Sequence, residues 1–175
     1  MWTAPLIWVI VEGETETGVT AHQMTDRVDQ GEIYGRRRLS IDSDETGFEL
    51  HQRAASEVSS LVMEVVHRIQ TGTLHSIPPI DIPESHYTSK TPYVNALDPP
   101  NQTCQKIHDV VRALSSPLPN AWYDHPLGRW LINKVEKCDA DTEASIRSLA
   151  GENNHFTQDG NNYLVAMDGV LRIIV

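Results

Sequence analysis

The chain has 175 residues with a formal net charge of −10, and neither half is basic. Residues 1–100 carry 7 Lys or Arg against 15 Asp or Glu, and residues 101–175 carry 7 against 9, whereas nucleic-acid-binding domains usually present a basic stripe. The longest apolar run, residues 4–11, is far below the roughly 20 residues of a membrane helix, so we expect neither partner.

The first predicted element is a short buried helix, with Thr3 as its cap, Pro5 in its first turn and Gly13 at its end. Two strands follow, over Gly18–Met24 and Glu32–Ile41, joined by the polar loop TDRVDQG. Their alternating polarity predicts an antiparallel pair.

The second strand has two distinct faces. One carries Ile33, Leu39 and Ile41, and the other carries Tyr34, Arg36 and Arg38. Alternation places Arg37 opposite its neighbours, which favours a solvated strand edge over a phosphate site.

The clearest helix spans about 46–71. Thr46 and Glu49 have capping-box spacing, and Gly72 is placed to end the helix. Its predicted apolar face consists of Leu50, Ala54, Val58, Leu61, Val65 and Ile69. Spacing of i,i+4 also predicts two surface ion pairs, Glu49–Arg53 and Glu64–Arg68.

Residues 73–101 hold six of the ten prolines, which predicts an extended connector. A second amphipathic helix follows, with one apolar face formed by Cys104, Ile107, Val111 and Leu114. Short strands are predicted at Ala121–Asp124, Trp130–Val135, Tyr163–Ala166 and Val170–Val175. Asp139–Asn154 is polar and has no predicted element. The expected division is 1–72, a 73–101 linker and 102–175.

Few residues point to chemistry by themselves. There is no phosphate-cradling glycine loop and no nucleophile elbow. The eight histidines have no metal-ligand spacing, and neither do Cys104 and Cys138, so we expect no metal and a reducing, cytoplasmic setting. Asp29 lies in a tight loop that ends at Gly31, and its position alone favours a turn role over catalysis.

The order of these segments adds to that interpretation. APLIWVIVEGETETGVTAHQM followed by DRVDQGEIY resembles the folate-dependent formyltransferase family, in which an APxxWxxxxGETETGVT helix and strand lead to a catalytic Asp-x-Gly loop. The match continues through RRRLSI, LHQRAASEVSSLV, SKTP and DVVRALSSPLPNAW to YLVAMDGVLRI. The strongest likeness is to members that act on UDP-4-amino-4-deoxyarabinose and other sugars, and the next is to methionyl-tRNA formyltransferases.

The resemblance implies transfer of a formyl group from 10-formyltetrahydrofolate to a primary amine. The family uses an Asn, a His and an Asp, and the Asp corresponds to Asp29. The loop residues Arg27, Val28, Asp29 and Gly31 would border the pterin ring of the cofactor, and His22 would give structural support.

This sequence also departs from the family pattern. The Asn-x-His-Pro-Ser-Leu-Leu-Pro segment should lie just before Trp2, where the chain begins, so we expect a truncated formyltransferase that is inactive alone. Pro99 replaces a common aromatic residue, and Asn120 replaces a Gly whose left-handed backbone Asn tolerates. Since the chain stops at Val175, we expect an incomplete terminal barrel.

The fold expected is therefore α/β: the C-terminal part of a Rossmann-like formyltransferase domain, a Pro-rich connector and a small, incomplete OB-like β domain. The function expected is formylation of a nucleotide-linked aminosugar, with a complementing N-terminal segment or a homo-oligomer as partner. The alternatives are a methionyl-tRNA formyltransferase-like protein and a non-catalytic remnant or interaction module.

Overall fold

A computed structural model describes residues 5–27, 29–79 and 95–174. These ranges form an α/β fold of small sheets and helices. The elements in chain order are α1 (Pro5–Val11), β1 (Glu16–His22), β2 (Ile33–Ser40), α2 (Gly47–Gln70), a 3₁₀ turn (Pro99–Asn101), α3 (Cys104–Leu114), β3 (Ala121–His125), β4 (Gly128–Ile132), β5 (Lys134–Lys137), α4 (Ala140–Ala150), β6 (His155–Gln158), β7 (Asn161–Ala166) and β8 (Gly169–Ile174).

The predicted antiparallel pair is confirmed. β1 and β2 pair from Glu16 opposite Ser40 to His22 opposite Ile33. The apolar face of β2 is buried, and Arg37 turns toward α2 to contact Glu57 and Glu64. Its neighbour Arg38 stays exposed, as the alternation predicted.

Helix α2 begins and ends as predicted. Thr46 caps it with a complete capping box, and the C-cap is Thr71. The predicted apolar face is only partly correct, because Val58 is 45% exposed and Ile69 is 56% exposed. The sheet beneath α2 has two strands, and it is too narrow to cover the whole apolar stripe.

The predicted Glu49–Arg53 pair is wrong. Glu49 is held by the capping box, where its Oε2 accepts from the backbone N–H of Thr46 at 2.9 Å and from its hydroxyl at 2.7 Å. Arg53 donates instead to Glu45, with Nε 2.7 Å from Oε1. The other predicted pair, Glu64–Arg68, is present at 3.6 Å.

The described ends of the proline-rich connector are attached to the rest of the fold. Ile77 forms an antiparallel bridge with Ile33, and Ala96 forms a parallel bridge with Trp122. Leu97 is buried, and the 3₁₀ turn follows it. The extended connector stays a prediction: its two described ends contact the rest of the fold, and residues 80–94, including the SKTP segment, lie outside the described residues.

The C-terminal part contains a β3–β4 hairpin and a four-stranded sheet in the order β5-β8-β7-β6. The single strand predicted at Trp130–Val135 is wrong: β4 and β5 belong to different sheets and are separated at Asn133, whose Oδ1 accepts from the backbone N–H of Ser116 at 2.7 Å. The incomplete OB-like domain stays a prediction, and the strands described here form two separate sheets.

The segment Asp139–Asn154, left without an element, contains α4. Asp139 is its N-cap and accepts from the backbone N–H of Thr142 at 2.9 Å. Strand β6 was also missed. Asn120 has φ +57°, the left-handed backbone expected for it.

One apolar cluster joins both ends of the chain. Ile10 in α1, Ile107 in α3 and Leu164 in β7 are each 0% exposed and belong to this cluster. Residues of α1 and α3 belong to the same cluster. The predicted division into 1–72, a 73–101 linker and 102–175 stays a prediction. None of the helices in the described ranges is long and apolar enough to span a membrane.

An arginine that forms a buried ion pair within α3 also holds the segment before α2. Arg112 Nε donates to Asp109 at 2.7 Å, and its Nη1 donates to the carbonyls of Asp42 at 3.2 Å and Glu45 at 2.9 Å. Burial alone would raise the pKa of Asp109, but hydrogen bonds from His108, Arg112 and Gln105 hold it below its ordinary value. This arrangement fixes the start of α2.

Candidate active-site loop

The candidate site is the loop that joins β1 to β2. The register of the two strands shifts between Ala21 and His22, and such a bulge redirects the side chain at the end of a strand. Beyond it, the backbone N–H of Gln23 donates to the carbonyl of Glu32 at 2.8 Å. The loop therefore has a fixed base, and His22 lies at its edge.

Gly31 is the tightest position of the loop. A Cβ at this residue would lie 1.8 Å from the carbonyl oxygen of Gln23, a separation that no side chain can adopt. Gly31 is buried, so a side chain here would push the two sides of the loop apart. The Asp-x-Gly pattern thus needs its glycine for close approach of the backbone.

Asp29 projects from this loop into solvent. Its φ is +57°, a left-handed conformation that Asp adopts more readily than most residues. Its side chain is 85% exposed. A carboxylate held this way is open to an incoming ligand on most sides.

The imidazole of His22 lies beside the carboxylate of Asp29. Its Nδ1 lies 2.9 Å from the carbonyl oxygen of Gln23, to which it donates, and its Nε2 lies 3.6 Å from Asp29 Oδ1. Since Nδ1 carries the proton of the neutral ring, Nε2 becomes a donor toward Asp29 only when the ring is protonated.

The rest of the loop is held by polar contacts and its neighbours. Thr25 Oγ1 donates to the carbonyl of Arg27 at 2.9 Å, and Ser76 Oγ donates to Glu32 at 2.6 Å. Arg27 is exposed, and Val28 lies outside the described residues. The Ser76–Glu32 contact joins residues 44 positions apart, so sequence pattern could not reveal it.

The structure brings together some predicted site residues. His22, Asp29 and Gly31 meet at the loop, with Arg27 beside them. Across the ranges that the structure covers, no cluster of three or more His, Cys, Asp or Glu side chains could hold a metal ion. The chemistry that the loop offers is that of a carboxylate with an adjacent imidazole, which can accept a proton or hold a second polar group.

Comparison with known proteins finds a family match that contains the loop. Residues 3–66 match the family model described as Formyl transferase, and this range includes His22, Asp29 and Gly31. The matched segment thus combines α1, the hairpin and most of α2 into one recognised unit.

Solved structures match the fold over almost the whole chain. The N-formyltransferase from Helicobacter canadensis, in complex with folinic acid and dTDP-3-aminofucose, has a TM-score of 0.68 at 20% identity, over 98% of this chain and 60% of that chain. The sugar 3N-formyltransferase WlaRD, with dTDP and 5-N-formyl-THF, has a TM-score of 0.67 at 19% identity, over 98% and 58%.

A third solved structure, HypX from Aquifex aeolicus in complex with tetrahydrofolic acid, has a TM-score of 0.65 at 16% identity, over 96% of this chain and 28% of that chain. The chain therefore spans between 28% and 60% of the length of these three structures.

The matched family model is that of formyl transferases, and the fold is shared with solved N-formyltransferases. The family match is limited to residues 3–66, and the similarity of the remaining residues rests on the fold.

Proposed function

We propose that this chain contributes the catalytic Asp29 to a formyltransferase that uses 10-formyltetrahydrofolate and formylates the amino group of a nucleotide-linked aminosugar. The observation that carries the proposal is the loop geometry: an 85% exposed carboxylate on a left-handed residue, with His22 Nε2 3.6 Å away. It lies within the segment that matches the formyl transferase model.

Asp29 has two roles in this proposal. Its carboxylate accepts the proton that leaves the amine as the new C–N bond forms, and it orients an imidazole supplied by another segment. His22 supports Asp29 through the contact at 3.6 Å. Because Asp29 is exposed, it needs such neighbours to hold one orientation.

The loop also fits one edge of a folate. A carboxylate and the carbonyls between Arg27 and Gly31 are acceptors, which suits the N–H and amino groups of a pterin ring. The residues that would border the ring are Arg27, Val28, Asp29 and Gly31. When bound, the cofactor supplies the formyl group.

The remaining catalytic groups come from elsewhere in this proposal. The family's Asn-x-His-Pro-Ser segment does not occur in these 175 residues, so a further segment, in the same or another polypeptide, supplies the Asn and His that stabilise the oxyanion. Each such group contributes on the order of 100-fold to 1000-fold. The 175-residue chain by itself should be inactive by several orders of magnitude.

The charge distribution favours a sugar nucleotide as the acceptor. A tRNA-binding protein must neutralise many phosphates with Lys or Arg, but residues 101–175 carry 7 basic against 9 acidic side chains. A sugar nucleotide has two phosphates and needs far fewer cations. Two of the structurally similar proteins were solved with dTDP or a dTDP-linked aminosugar.

Two other functions remain to be separated from this one. A methionyl-tRNA formyltransferase would require a basic docking patch, for which Arg36 and Arg38 are the exposed candidates. A non-catalytic interaction module would need no functional Asp29. Both free cysteines, Cys104 and Cys138, suit the reducing cytoplasm in which we place the reaction.

The experiment is a formyl-transfer assay on the protein encoded by the longest reading frame that contains these 175 codons. Substrates are 10-formyltetrahydrofolate with either a dTDP-linked aminosugar or methionyl-tRNA, and the 175-residue chain is assayed in parallel. Formylation of the aminosugar by the longer protein supports the proposal. Turnover by the 175-residue chain would refute the need for a further segment. Steeply salt-dependent tRNA binding at about 150 mM salt would favour the second function.

A further inference from the structure

Strand β1 forms the open edge of the two-stranded sheet. It pairs with β2 on one side. Among residues 5–27, 29–79 and 95–174, no strand pairs with its other side. An isolated pair of strands is only marginally stable in water, and further strands stabilise it. The free side of β1 is therefore a position at which the sheet can be extended.

The register shows which backbone groups this edge presents. The backbone N–H of Ile41 donates to the carbonyl of Thr15 at 2.8 Å, so these two residues form a hydrogen-bonded pair. Hydrogen-bonded and non-hydrogen-bonded pairs alternate along antiparallel strands. Gly18 and Thr20 therefore direct their N–H and C=O groups away from β2. Both residues are exposed, so a second backbone can reach these groups.

Helix α2 carries an apolar flank that the described fold leaves uncovered. Val58, Val62, Val66 and Ile69 form this flank and are 45%, 48%, 40% and 56% exposed. No Asp, Glu, Lys or Arg shares this side of the helix between positions 55 and 69. Contiguous exposed apolar surface of this kind marks interaction sites.

The apolar flank lies on the side of the free edge of β1. On the other flank of α2, Glu57 and Glu64 contact Arg37 of β2. Arg68 on that flank donates to the carbonyl of Tyr34, also in β2. With 3.6 residues per turn, the apolar flank lies across the buried face of the helix from these charged residues. The charged flank thus follows β2, and the apolar flank overhangs the open side of β1.

We propose that a second copy of this chain covers both features by pairing its own β1 antiparallel to the first, around a twofold axis perpendicular to the sheet. Full overlap of the seven residues of β1 puts Val19 on the axis. Gly18 then lies opposite Thr20 of the partner subunit, and their outward backbone groups bond each other. The result is a continuous four-stranded sheet in the order β2-β1-β1-β2.

The spacing of the strands also brings the two copies of α2 into contact. Adjacent strands lie about 4.8 Å apart, and α2 packs on both strands of its sheet. A helix centred over the two strands lies about 4.8 Å from the twofold axis, so the two helices lie about 9.6 Å apart, within the roughly 8–10 Å of packed helices. Both helices lie on the same face of the sheet, and their apolar flanks face each other.

Charge complementarity favours a second copy as the occupant. The same register places Glu16 opposite His22 of the partner subunit, and this contact occurs twice in the dimer. Glu16 has only a loose contact with Arg38, at 3.5 Å between side chains that are 63% and 85% exposed. The other residues of β1 are uncharged, so no like charges meet across the axis, where they would destabilise the pair.

The dimer leaves the Asp29 loop open. The loop extends beyond His22, the last paired residue of β1, and the side chain of Asp29 is 85% exposed. The further segment that the proposed formyl transfer requires can therefore approach Asp29 in the dimer. The pairing of two copies does not depend on that function, and its tests use no substrate.

The first test measures the mass of the 175-residue chain by light scattering during size-exclusion chromatography. At about 100 μM, roughly 100-fold above a micromolar Kd, the mass should be twice the 19.6 kDa of one chain. Val62→Asp should raise the dimer Kd at least about 100-fold, since each dimer would bury two unpaired carboxylates. Ser60→Asp, at an exposed position of α2 away from the apolar flank, is the matched control and should change the Kd less than about threefold. A monomeric wild-type chain would overturn the proposal, and so would equal effects of the two variants.

A second test examines the register and does not rely on Val62→Asp. Two copies of Val19 lie opposite each other at a non-hydrogen-bonded position, where Cα atoms are about 4.5 Å apart, a distance that a disulfide can span. Oxidation should therefore cross-link Val19→Cys. Two copies of residue 17 lie four positions apart along the strands, about 13 Å, so Thr17→Cys should not cross-link. The wild-type chain, with Cys104 and Cys138, gives the background. Cross-linking of both variants, or of neither, would contradict this register and overturn the proposal.

A last measurement separates a second copy from the further segment as the occupant of β1. The longest reading-frame protein should also be a dimer, and Val62→Asp should make it monomeric. If the further segment pairs with β1 instead, that protein will be a monomer in which the amides of Gly18 and Thr20 exchange slowly at every concentration. That result would overturn the proposal, as would a dimer that persists in Val62→Asp.

Discussion

His22 Nε2 lies 3.6 Å from Asp29 Oδ1, across the base of the β1–β2 loop. The two residues are seven positions apart, and the bulge after Ala21 brings them together. This contact is what distinguishes Asp29 from an ordinary turn residue, because it gives an exposed carboxylate a preferred neighbour.

We expect His22→Gln to reduce kcat of the active formyltransferase by about threefold to fivefold. A contact between exposed polar side chains is worth up to about 1 kcal/mol, and its loss would let Asp29 reorient. KM for the amine and the free energy of unfolding should not change. His51→Gln, on the exposed surface of α2, is the control. An unchanged kcat in His22→Gln would show that His22 does not support Asp29 in catalysis.

Gly31→Ala should destabilise the protein by about 2–3 kcal/mol, the range of an overpacked position, because its Cβ would lie 1.8 Å from the Gln23 carbonyl. Gly72→Ala is the control: Gly72 has φ +68° but open space around a Cβ, so only about 1 kcal/mol should be lost. Urea unfolding of both variants measures the difference. Equal losses would show that the loop is not tightly closed at Gly31.

Arg112→Leu should cost about 3–5 kcal/mol, since it leaves the buried Asp109 without its partner. Asp109 and Arg112 are 3% and 8% exposed. Arg38→Leu removes an ion pair with Glu16 whose side chains are 85% and 63% exposed, and should cost at most about 1 kcal/mol. Chemical denaturation compares them, and similar losses would contradict the importance of the buried pair.

The stability of the protein should fall as pH is lowered through about 6.5. Burial, followed by repulsion from His125, lowers the pKa of His155. The unfolded chain therefore binds the proton first, and stability decreases as pH falls from the unfolded pKa toward the folded one. This window begins near 6.5, the ordinary pKa of histidine, where most carboxylates are already ionised.

Urea unfolding at pH 7.5 and pH 5.5 measures this effect. His155→Gln should flatten the difference between the two pH values, and the exposed His51→Gln should leave it unchanged. The Tyr123 hydroxyl, 3.0 Å from His155 Nδ1, loses part of its contact in this variant, so absolute stability is compared within each variant. An equally steep pH dependence in His155→Gln would contradict the assignment.

The sequence predicted those elements whose stabilising contacts join residues that are close together in the chain. Thr46 and Glu49 lie three positions apart, and both hydrogen bonds of their capping box form. For the same reason the boundaries of α2 were predicted within one residue. Helix α4 was not predicted, because only Ile146 and Ala150 are buried in it and two buried residues give little helical periodicity.

Other features depend on contacts that no local pattern contains. Val58 and Ile69 are exposed because the sheet below them has two strands. The break between β4 and β5 falls at Asn133, which bonds Ser116 17 positions away.

The candidate site also combines features that the sequence could predict with contacts that it could not. The Asp-x-Gly loop was predicted from the sequence, and the structure shows that the backbone of Gly31 lies too close to the Gln23 carbonyl for any side chain. The contact between Ser76 and Glu32 could not be predicted, because the two residues are 44 positions apart.

The most direct measurement compares wild type with Asp29→Asn in the longest reading-frame protein, using 10-formyltetrahydrofolate and a dTDP-linked aminosugar. Asparagine keeps the size of the side chain but cannot accept the amine proton, so kcat should fall at least about 100-fold. The free energy of unfolding should change little, because the side chain is 85% exposed. Retention of kcat within threefold of wild type would contradict the proposal that Asp29 is the catalytic base of a formyltransferase.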